Sequence, residues 1–264
     1  MRWIIGDIHG MLRPLETILD AVRRADSRPD FLFCGDYVNR GPDSHGVIEL
    51  LRQLPNARFI RGNHDDMFDL VVNHQSYAHN PHRPTPVAAF ADMYNHGMGQ
   101  TFQSYGASTE QIRAAARAGT EDALAELADH VPDNHRRFTR DLEPLAVDDD
   151  LLVGHGYWPP GMPNDMADPT ALLFEPEARS RLIWGRFSTQ ELEADKPWRR
   201  RGYFGHTPTM NYPPDLRGND RRPARGPWLT LVDTGAFHPT GGRLSAVCHE
   251  TGQLLQATRT GELL

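Results

Sequence analysis

Apolar runs of about four residues alternate with helix-type patterns over the first 75 positions. Each run is followed by a glycine-containing loop, and the runs cover residues 2–5, 31–34 and 57–60. Apolar residues recur at helical spacing between them, which predicts helices over residues 12–22 and 44–54 and a third helix from Asn63. This β-α-β-α-β-α order predicts an α/β protein in which helices cover a sheet.

The rest of the chain divides into a helix-forming part and a strand-forming part. Residues 75–140 begin with a His/Pro-rich loop and continue in alanine- and leucine-rich helical patterns, which predicts a helical insertion beside the sheet. The Pro/Arg/Gly-rich stretch 207–227 is expected to be an exposed loop. We expect residues 1–264 to form a single domain. Strand patterns return at residues 144–147, 151–153, 203–204, 229–232, 244–248 and 253–257.

The composition narrows the classes of partner. The 264 residues are 39% hydrophobic and 24% charged, as in globular proteins, and the net charge of −7 argues against binding to a nucleic acid duplex. No apolar run approaches the roughly 20 residues of a membrane span, and the short N-terminal run does not resemble a signal peptide. Both cysteines lie in apolar segments, as expected for free thiols in a reducing compartment. These features predict a cytoplasmic protein that does not bind membranes.

Five short motifs place polar side chains directly after apolar strands. The motifs are GDIHG (6–10), GDYVNRGP (35–42), RGNHD (61–65), VGHG (153–156) and FGHTP (204–208). Each motif alone could be an ordinary turn or helix cap. Together they supply six oxygen or imidazole donors at the strand ends, where α/β proteins bind ligands. The donors are Asp7, His9, Asp36, Asn63, His155 and His206.

These donors predict a centre with two divalent metal ions. Carboxylate, amide and imidazole ligands without thiolates suit manganese, iron or zinc, of which we expect manganese. Six donors exceed the needs of one tetrahedral ion, whereas two ions about 3.5–4 Å apart could share a bridging carboxylate from Asp36. Such a pair activates a shared water and clamps a phosphoryl group. Arg40 and Arg61 lie in the same loops and could bind the phosphoryl oxygens.

The five motifs, in this order, resemble the signature of the calcineurin-like metallophosphoesterases. The chain is most similar to the branch that contains serine/threonine protein phosphatases and bacterial diadenosine tetraphosphatases. The resemblance spans almost the whole chain and implies a β-sandwich flanked by helices. The metal ligands that it implies are Asp7, His9 and Asp36 for one ion and Asp36, Asn63, His155 and His206 for the other.

The resemblance also implies the catalytic roles of further residues. A metal-bridging hydroxide would attack the phosphorus, and His64 would act as the general acid that protonates the leaving group. Arg40, Arg61 and Arg186 would bind phosphate. Two more stretches, 99–106 and 232–237, resemble bacterial members of the family. The first either faces substrate or packs in the interior, and the second is expected to pack near the site.

Asn39 departs from the pattern of the protein phosphatases, which place an aspartate at this position. There the carboxylate raises the pKa of the catalytic histidine and keeps it protonated. Asn39 can orient His64 through a hydrogen bond but brings no charge. This favours substrates whose leaving group needs no proton, such as nucleotide anhydrides. Arg61, directly before the GNHD motif, instead resembles the protein phosphatases.

These conflicting features leave three functions open. A protein phosphatase-like hydrolase of phosphomonoesters ranks first, and a hydrolase of diadenosine tetraphosphate ranks second. A module that binds phosphate or phosphoprotein without catalysis ranks third, because all six metal donors and His64 are in place. The expected partner is accordingly a phosphoprotein or a nucleotide polyphosphate.

Overall fold

The strands of the chain form two five-stranded sheets. The computed structural model describes residues 1–73, 83–158, 175–195, 200–218 and 221–264. The first sheet has the order β10-β9-β1-β2-β3, and the second has the order β4-β5-β6-β8-β7. The strands are β1 (Arg2–Ile5), β2 (Asp30–Phe33), β3 (Ala57–Phe59), β4 (Ala146–Val147), β5 (Leu151–Gly154), β6 (Arg201–Phe204), β7 (Ala224–Arg225), β8 (Leu229–Leu231), β9 (Arg243–Cys248) and β10 (Leu254–Thr258).

Both sheets contain a group of three parallel strands. In the first sheet, β1 pairs with β2 and β2 with β3, so that Trp3 lies opposite Phe31 and Leu32 opposite Arg58. In the second sheet, β5, β6 and β8 are parallel. Antiparallel strands extend each sheet: β9 and β10 in the first, and β4 and β7 in the second. The parallel strands of a sheet therefore send their following loops to the same edge.

Apolar residues from both sheets meet in one buried cluster. Ile4 and Leu32 enter it from the first sheet, and Leu151 and Val153 enter it from the second. Neighbouring residues in β1 point the other way, and Trp3 belongs to a separate cluster that includes residues of the helices. The two sheets thus pack face to face and helices cover their outer faces, which confirms the predicted α/β fold with a β-sandwich flanked by helices.

Helix α3 is the most deeply buried helix near the strand ends. All ten of its residues are buried, and it packs against α4, α7 and α8. The α-helices are α1 (Leu12–Ala25), α2 (Ser44–Leu51), α3 (Asn63–Val72), α4 (Pro86–Met93), α5 (Gly99–Ser104), α6 (Thr109–Ala118), α7 (Glu121–Ala128), α8 (Asp133–Arg140), α9 (Pro176–Trp184), α10 (Thr189–Glu193) and α11 (Pro214–Arg217). A π-helical turn covers Tyr94–Met98, and a 3-10 turn covers Thr209–Asn211. No helix in the described ranges is long and apolar enough to cross a bilayer.

The predicted helical segment 75–140 is helical where it is described. Helices α4 to α8 follow one another between residues 83 and 140. The first part of the segment, residues 75–82, includes half of its His/Pro-rich loop and lies outside the described residues. The division of the chain at 75 and 140 stays a prediction.

Element boundaries differ from the sequence-based expectation by one to three residues at several places, and the end of α2 and the loop 207–227 differ for identifiable physical reasons. Helix α2 ends at Leu51, and residues 53 and 54 form only turn-type hydrogen bonds to carbonyls three positions earlier, because proline at 55 disfavours helical geometry at residue 54. The expected exposed loop 207–227 contains the 3-10 turn, α11 and β7, and Tyr212 within it is buried. Tyr212 donates its hydroxyl hydrogen to the Phe187 carbonyl at 2.5 Å, which ties this polar stretch to the core.

Candidate metal centre and phosphate pocket

The predicted site residues converge on a cavity of about 510 Å³ at the strand ends. The loops after β1, β2 and β6 and the first turn of α3 contribute to its wall. Asp7, Asn39 and His155 lie behind this wall among buried atoms. Of the predicted site residues, those that line the cavity are His9, Asp36, Arg40, Asn63, His64, Arg186 and His206.

The backbone at this site adopts conformations that ordinary residues avoid. In the described ranges, seven residues other than glycine have positive φ, and five of them lie in the predicted motifs. Such left-handed residues cost roughly 1–2 kcal/mol each unless their surroundings hold them in place. This concentration of strained residues supports a binding role for the loops. The five are His9 (φ 50°), Asp36 (55°), Asn39 (70°), Arg40 (66°) and His206 (62°).

Two motif glycines are required because carboxylates pack directly over them. A Cβ atom at position 62 would lie 2.1 Å from Asp36 Oδ1, and a Cβ atom at position 205 would lie 2.0 Å from Asp7 Oδ1. Neither distance can be accommodated without moving the carboxylate. The glycines therefore allow Asp36 and Asp7 to approach the first turn of α3 and the loop after β6.

Asp36 lies between two groups of titratable side chains. Its carboxylate and ring nitrogens of His9 and His64 lie within 4.8 Å of one another, and the same holds for Asp36 with His155 and His206. Asp36 Oδ2 is 3.5 Å from His9 Nε2, and Asp36 Oδ1 is 3.4 Å from His155 Nε2. This places Asp36 where a bridging ligand would be needed.

The second group brings together atoms that carry only lone pairs. His155 Nε2 and His206 Nδ1 lie 3.1 and 3.0 Å from Asn63 Oδ1. The other ring nitrogen of each histidine faces a backbone carbonyl, Cys34 O at 2.7 Å and Trp184 O at 3.2 Å. Carbonyls only accept, so those nitrogens carry the hydrogens and the nitrogens facing Asn63 do not. A cation between them fits this arrangement, because the facing lone pairs otherwise repel.

Similar features occur at His9, which belongs to the first group, and at the neighbouring Asp7. His9 Nδ1 lies 3.1 Å from the Val38 carbonyl, which leaves Nε2 with a lone pair directed at Asp36. Asp7 Oδ2 accepts from the His206 amide at 2.9 Å. Asp7 Oδ1 is buried and has no hydrogen-bond partner among the described residues. Asp7 belongs to neither of the groups around Asp36, yet its free oxygen suits a metal ligand.

Burial and neighbouring charges set the protonation of the site. Burial raises the pKa of Asp7 well above its usual range, and the neighbouring charge of Asp233 raises it further. Burial raises the pKa of Asp36 in the same way, with Asp65 as the neighbouring charge. Burial lowers the pKa of His9 to about 3 and, with the charge of Arg186 adding to it, that of His206 to about 4. The imidazoles are therefore neutral, as ligands must be, and a divalent cation would favour the ionised carboxylates.

Asn39 contacts His64 through its amide nitrogen. Asn39 Nδ2 lies 2.9 Å from His64 Nδ1, and Asn39 Oδ1 accepts from the Thr101 hydroxyl at 2.8 Å. The backbone N–H of Asn39 also donates to Thr101 Oγ1 at 2.9 Å. Because Thr101 occupies the amide oxygen, the NH₂ group faces His64 and donates to Nδ1. In the stretch 99–106, for which sequence left two roles open, Thr101, Phe102 and Tyr105 are buried, and Thr101 supports Asn39. No residue of the stretch, which lies within the described residues, lines the cavity.

The three predicted phosphate-binding arginines do not share one location. Arg40 and Arg186 line the cavity; Arg40 lies 5.0 Å from the Phe237 ring centroid, and Arg186 donates to Thr207 Oγ1 at 3.1 Å. Arg61 is 1% exposed and donates to Asp69 Oδ2 at 2.8 Å and to the carbonyls of residues 139 and 140. The prediction that Arg61 binds phosphate therefore needs correction, because its guanidinium is held between α3 and the end of α8.

The cavity wall contains residues that sequence reasoning missed. The stretch 232–237, which was expected to pack near the site, contributes Asp233 to the cavity lining, but its role as a site residue was not predicted. Asp233 is buried and follows β8, a parallel strand, so the rule that located the other donors could have found it. Phe237 lies in the same stretch. Trp184 ends α9 two positions before Arg186, and His96 comes from the π-helical turn. Nothing in the local sequence pattern indicated that Trp184 or His96 would reach the cavity.

The donors and arginines of the cavity form a recognisable class of site. Two groups of oxygen and imidazole donors share Asp36, and two arginines lie beside them in an open cavity. That arrangement is typical of hydrolases that use two metal ions on phosphate esters or anhydrides. Residues 2–185 match the model of the calcineurin-like phosphoesterase family, and the chain belongs to that family of metal-dependent phosphoric ester hydrolases.

Curated relatives with similar sequences carry the name symmetrical bis(5'-nucleosyl)-tetraphosphatase. The protein from Coxiella burnetii is 34% identical over 85 residues, which cover 30% of this chain and 29% of the relative. The protein from Erwinia tasmaniensis is 42% identical over 64 residues, which cover 24% of this chain and 23% of the relative. The similarity thus spans less than a third of the length of these relatives.

Solved structures share the fold over most of the chain. A putative diadenosine tetraphosphatase has a TM-score of 0.57 at 22% identity, with 97% of this chain and 92% of that chain covered. The cold-active protein-tyrosine phosphatase of a psychrophilic Shewanella species has a TM-score of 0.51 at 14% identity, with 100% of this chain and 79% of that chain covered. At these identities the likeness concerns the fold alone.

Proposed function

We propose that this protein hydrolyses a phosphoanhydride bond in a nucleoside polyphosphate of the dinucleoside tetraphosphate type. The observation that carries the proposal is the hydrogen bond of the Asn39 amide nitrogen with His64 Nδ1 at 2.9 Å. An amide that donates to Nδ1 disfavours a second proton on the ring, so His64 is mostly neutral and its protonated form is seldom available as a general acid. A phosphoanhydride suits such a site because its leaving group departs as a phosphate and needs little protonation. The tetraphosphatase names of the relatives agree with this choice.

We assign the metal ligands as the sequence motifs suggest. Two divalent ions, manganese before iron or zinc, would supply an activated water nucleophile and neutralise phosphoryl charge. The lone-pair atoms that face one another around Asn63 and the buried free oxygen of Asp7 support this assignment. The proposed ligands are Asp7, His9, Asp36, Asn63, His155 and His206.

The remaining residues bind and orient the polyphosphate. Arg40 and Arg186 line the cavity and would hold phosphoryl oxygens by charge-assisted hydrogen bonds. His64 lines the same cavity, and its bond to Asn39 at Nδ1 leaves the hydrogen on Nε2. The Nε2–H group would donate a hydrogen bond to the oxygen of the leaving phosphate, without transfer of the proton. Thr101 fixes the Asn39 amide in this orientation.

A protein phosphatase-like monoesterase is the second candidate. Arg61 before the GNHD motif favours it, because that pairing resembles the protein phosphatases. The relatives reverse the order that sequence motifs alone give, since their names match the tetraphosphatase. A binding module without catalysis ranks below both, because every proposed ligand and His64 are present.

A comparison of three substrates tests the proposal. With added Mn²⁺, kcat/KM is measured for diadenosine tetraphosphate, a phosphoserine peptide and para-nitrophenyl phosphate. We expect the tetraphosphate to be the best substrate by at least about 10-fold. The Asp36→Asn variant serves as the control and should lose activity on all three. Faster turnover of the peptide than of the tetraphosphate would overturn the proposal in favour of the monoesterase.

A further inference from the structure

Trp184 is an exposed aromatic side chain at the edge of the cavity. In the described part of the chain, four large apolar residues are exposed, and three of them, Met1, Leu263 and Leu264, lie at the chain ends. The fourth is Trp184, which is 38% exposed and lines the cavity. A tryptophan usually buries most of its large ring, so an exposed one at a binding cavity indicates contact with a ligand.

The position of Trp184 is fixed relative to the proposed metal centre. Its carbonyl lies 3.2 Å from Nε2 of His206, and its indole ring lies 6.2 Å from the His206 ring in a T-shaped arrangement of 87°. Among the described residues, the His206 ring is the aromatic group that the Trp184 ring contacts, and 38% of Trp184 remains exposed at the cavity. The backbone therefore contacts a proposed ligand, and the side chain remains accessible from the cavity.

The second aromatic residue of the cavity, Phe237, is already engaged on several sides. Arg40 lies over its ring at 5.0 Å, and the His9 ring packs against it at 5.0 Å with an interplanar angle of 86°. Phe237 is also less exposed than Trp184. Of the two, Trp184 is the one that can take a further planar group.

We propose that Trp184 is the stacking surface for a nucleobase of the substrate, an inference that rests on the proposed nucleotide hydrolysis. Arg186, two residues after Trp184, lines the same cavity, so a phosphate-binding group and an aromatic face lie side by side. A nucleotide likewise carries a phosphate and a planar base close together, so one molecule could contact both residues. The cavity of about 510 Å³ is within the size range of small-molecule sites. Trp184 thereby selects nucleotides over phosphates that lack a base.

Kinetics with and without a base on the substrate test this role. In Trp184→Ala, we expect kcat/KM for diadenosine tetraphosphate to fall about 5- to 150-fold, the equivalent of about 1–3 kcal/mol for one stacked base. The fall should come mainly from KM and should exceed the fall for inorganic tripolyphosphate, which has no base. Trp184→Phe should recover most of the loss. An equal fall for both substrates would overturn the proposal, because it would show that Trp184 acts only through His206.

Binding of ADP gives a readout that does not depend on turnover. Quenching of tryptophan fluorescence by ADP should be strong in the wild type, persist in the matched control Trp228→Phe, whose residue lies outside the cavity lining, and be lost in Trp184→Phe. Calorimetric affinity for ADP should fall in Trp184→Ala. Unchanged affinity would overturn the stacking role. A wild type that binds ADP through Trp184 but does not cleave the tetraphosphate would overturn the proposed hydrolysis and leave the stacking role supported.

Discussion

Replacing Asn39 by aspartate is expected to shift the site toward substrates with alkoxide leaving groups. Asn39 is fully buried, with Nδ2 2.9 Å from His64 Nδ1 and Oδ1 2.8 Å from the Thr101 hydroxyl. An aspartate in this place keeps the bond from Thr101 and turns its second oxygen toward His64. Because that oxygen only accepts, Nδ1 must carry a hydrogen, and the charged ring becomes favoured.

The size of the effect follows from the surroundings of His64. Burial, with the positive charge of Arg40 adding to it, lowers the pKa of His64 well below its usual value. An opposite charge at hydrogen-bond distance raises such a pKa by about 1–3 units, which corresponds to about 1.4–4 kcal/mol. While the ring remains mostly neutral at the assay pH, each unit raises its protonated fraction about 10-fold. Turnover of a phosphoserine peptide should therefore rise about 10-fold or more relative to the tetraphosphate.

The assay compares kcat/KM for both substrates across pH in the wild type, Asn39→Asp and Asn39→Ala. A general acid must be protonated, so a raised pKa extends peptide turnover to higher pH. The alanine variant removes the hydrogen bond without adding charge and should lower both activities alike. If aspartate changes both substrates by the same factor, or leaves the pH profile of peptide turnover in place, position 39 does not control His64.

Three further predictions concern the metal ligands, the arginines and Thr101. Chelation by EDTA should lower the Tm of the wild type, because the facing lone pairs lose their cation, and added Mn²⁺ should restore it. Mn²⁺ should not raise the Tm of Asp36→Asn. A wild-type Tm that responds to neither EDTA nor Mn²⁺ would argue against the metal centre. Arg61→Met should reduce the free energy of unfolding by about 3–5 kcal/mol, because it removes the buried ion pair of Arg61 with Asp69. Arg186→Met should instead leave Tm near wild type and lower kcat/KM about 100-fold, and a reversed pattern would return Arg61 to the site. Thr101→Val should cost about 1–3 kcal/mol in chemical denaturation, because the buried Asn39 oxygen loses its donor, and no loss would mean that the amide turns over.

The location of the site was predictable because topology alone determines it. Asp7, Asp36 and His155 each follow a short apolar run, and parallel strands bring such positions to one edge. The same rule applies to Asp233 after β8. The position of each motif directly after a strand therefore predicts that the motifs lie close together. The packing of the two sheets brings both sets of loops to one place.

The direction of individual side chains was not predictable in the same way. Arg61 precedes the motif residue Asn63 by two positions, yet its guanidinium points to Asp69 and to carbonyls at the end of α8. That outcome depends on how α8 packs on α3, a contact between residues some 80 positions apart along the chain. Trp184 likewise lines the cavity next to His206, a residue 22 positions further along the chain, whose ring nitrogen lies 3.2 Å from the Trp184 carbonyl. Long-range packing determines the positions of both side chains, and the local sequence pattern does not predict such packing.

Asp66 of α3 connects this helix to α9 through a buried ion pair. Its carboxylate accepts hydrogen bonds from Arg179 of α9 and from Arg83, and it lies 3.4 Å from Arg61. Burial lowers the pKa of Arg179 to about 10, so the guanidinium stays charged at neutral pH and the contact is an ion pair. Breaking such a buried pair is costly, so α9 cannot slide freely on α3. Since α3 begins with Asn63 and His64 and α9 ends at Trp184, this ion pair fixes the distance between the proposed metal and leaving-group residues and the proposed base-binding surface.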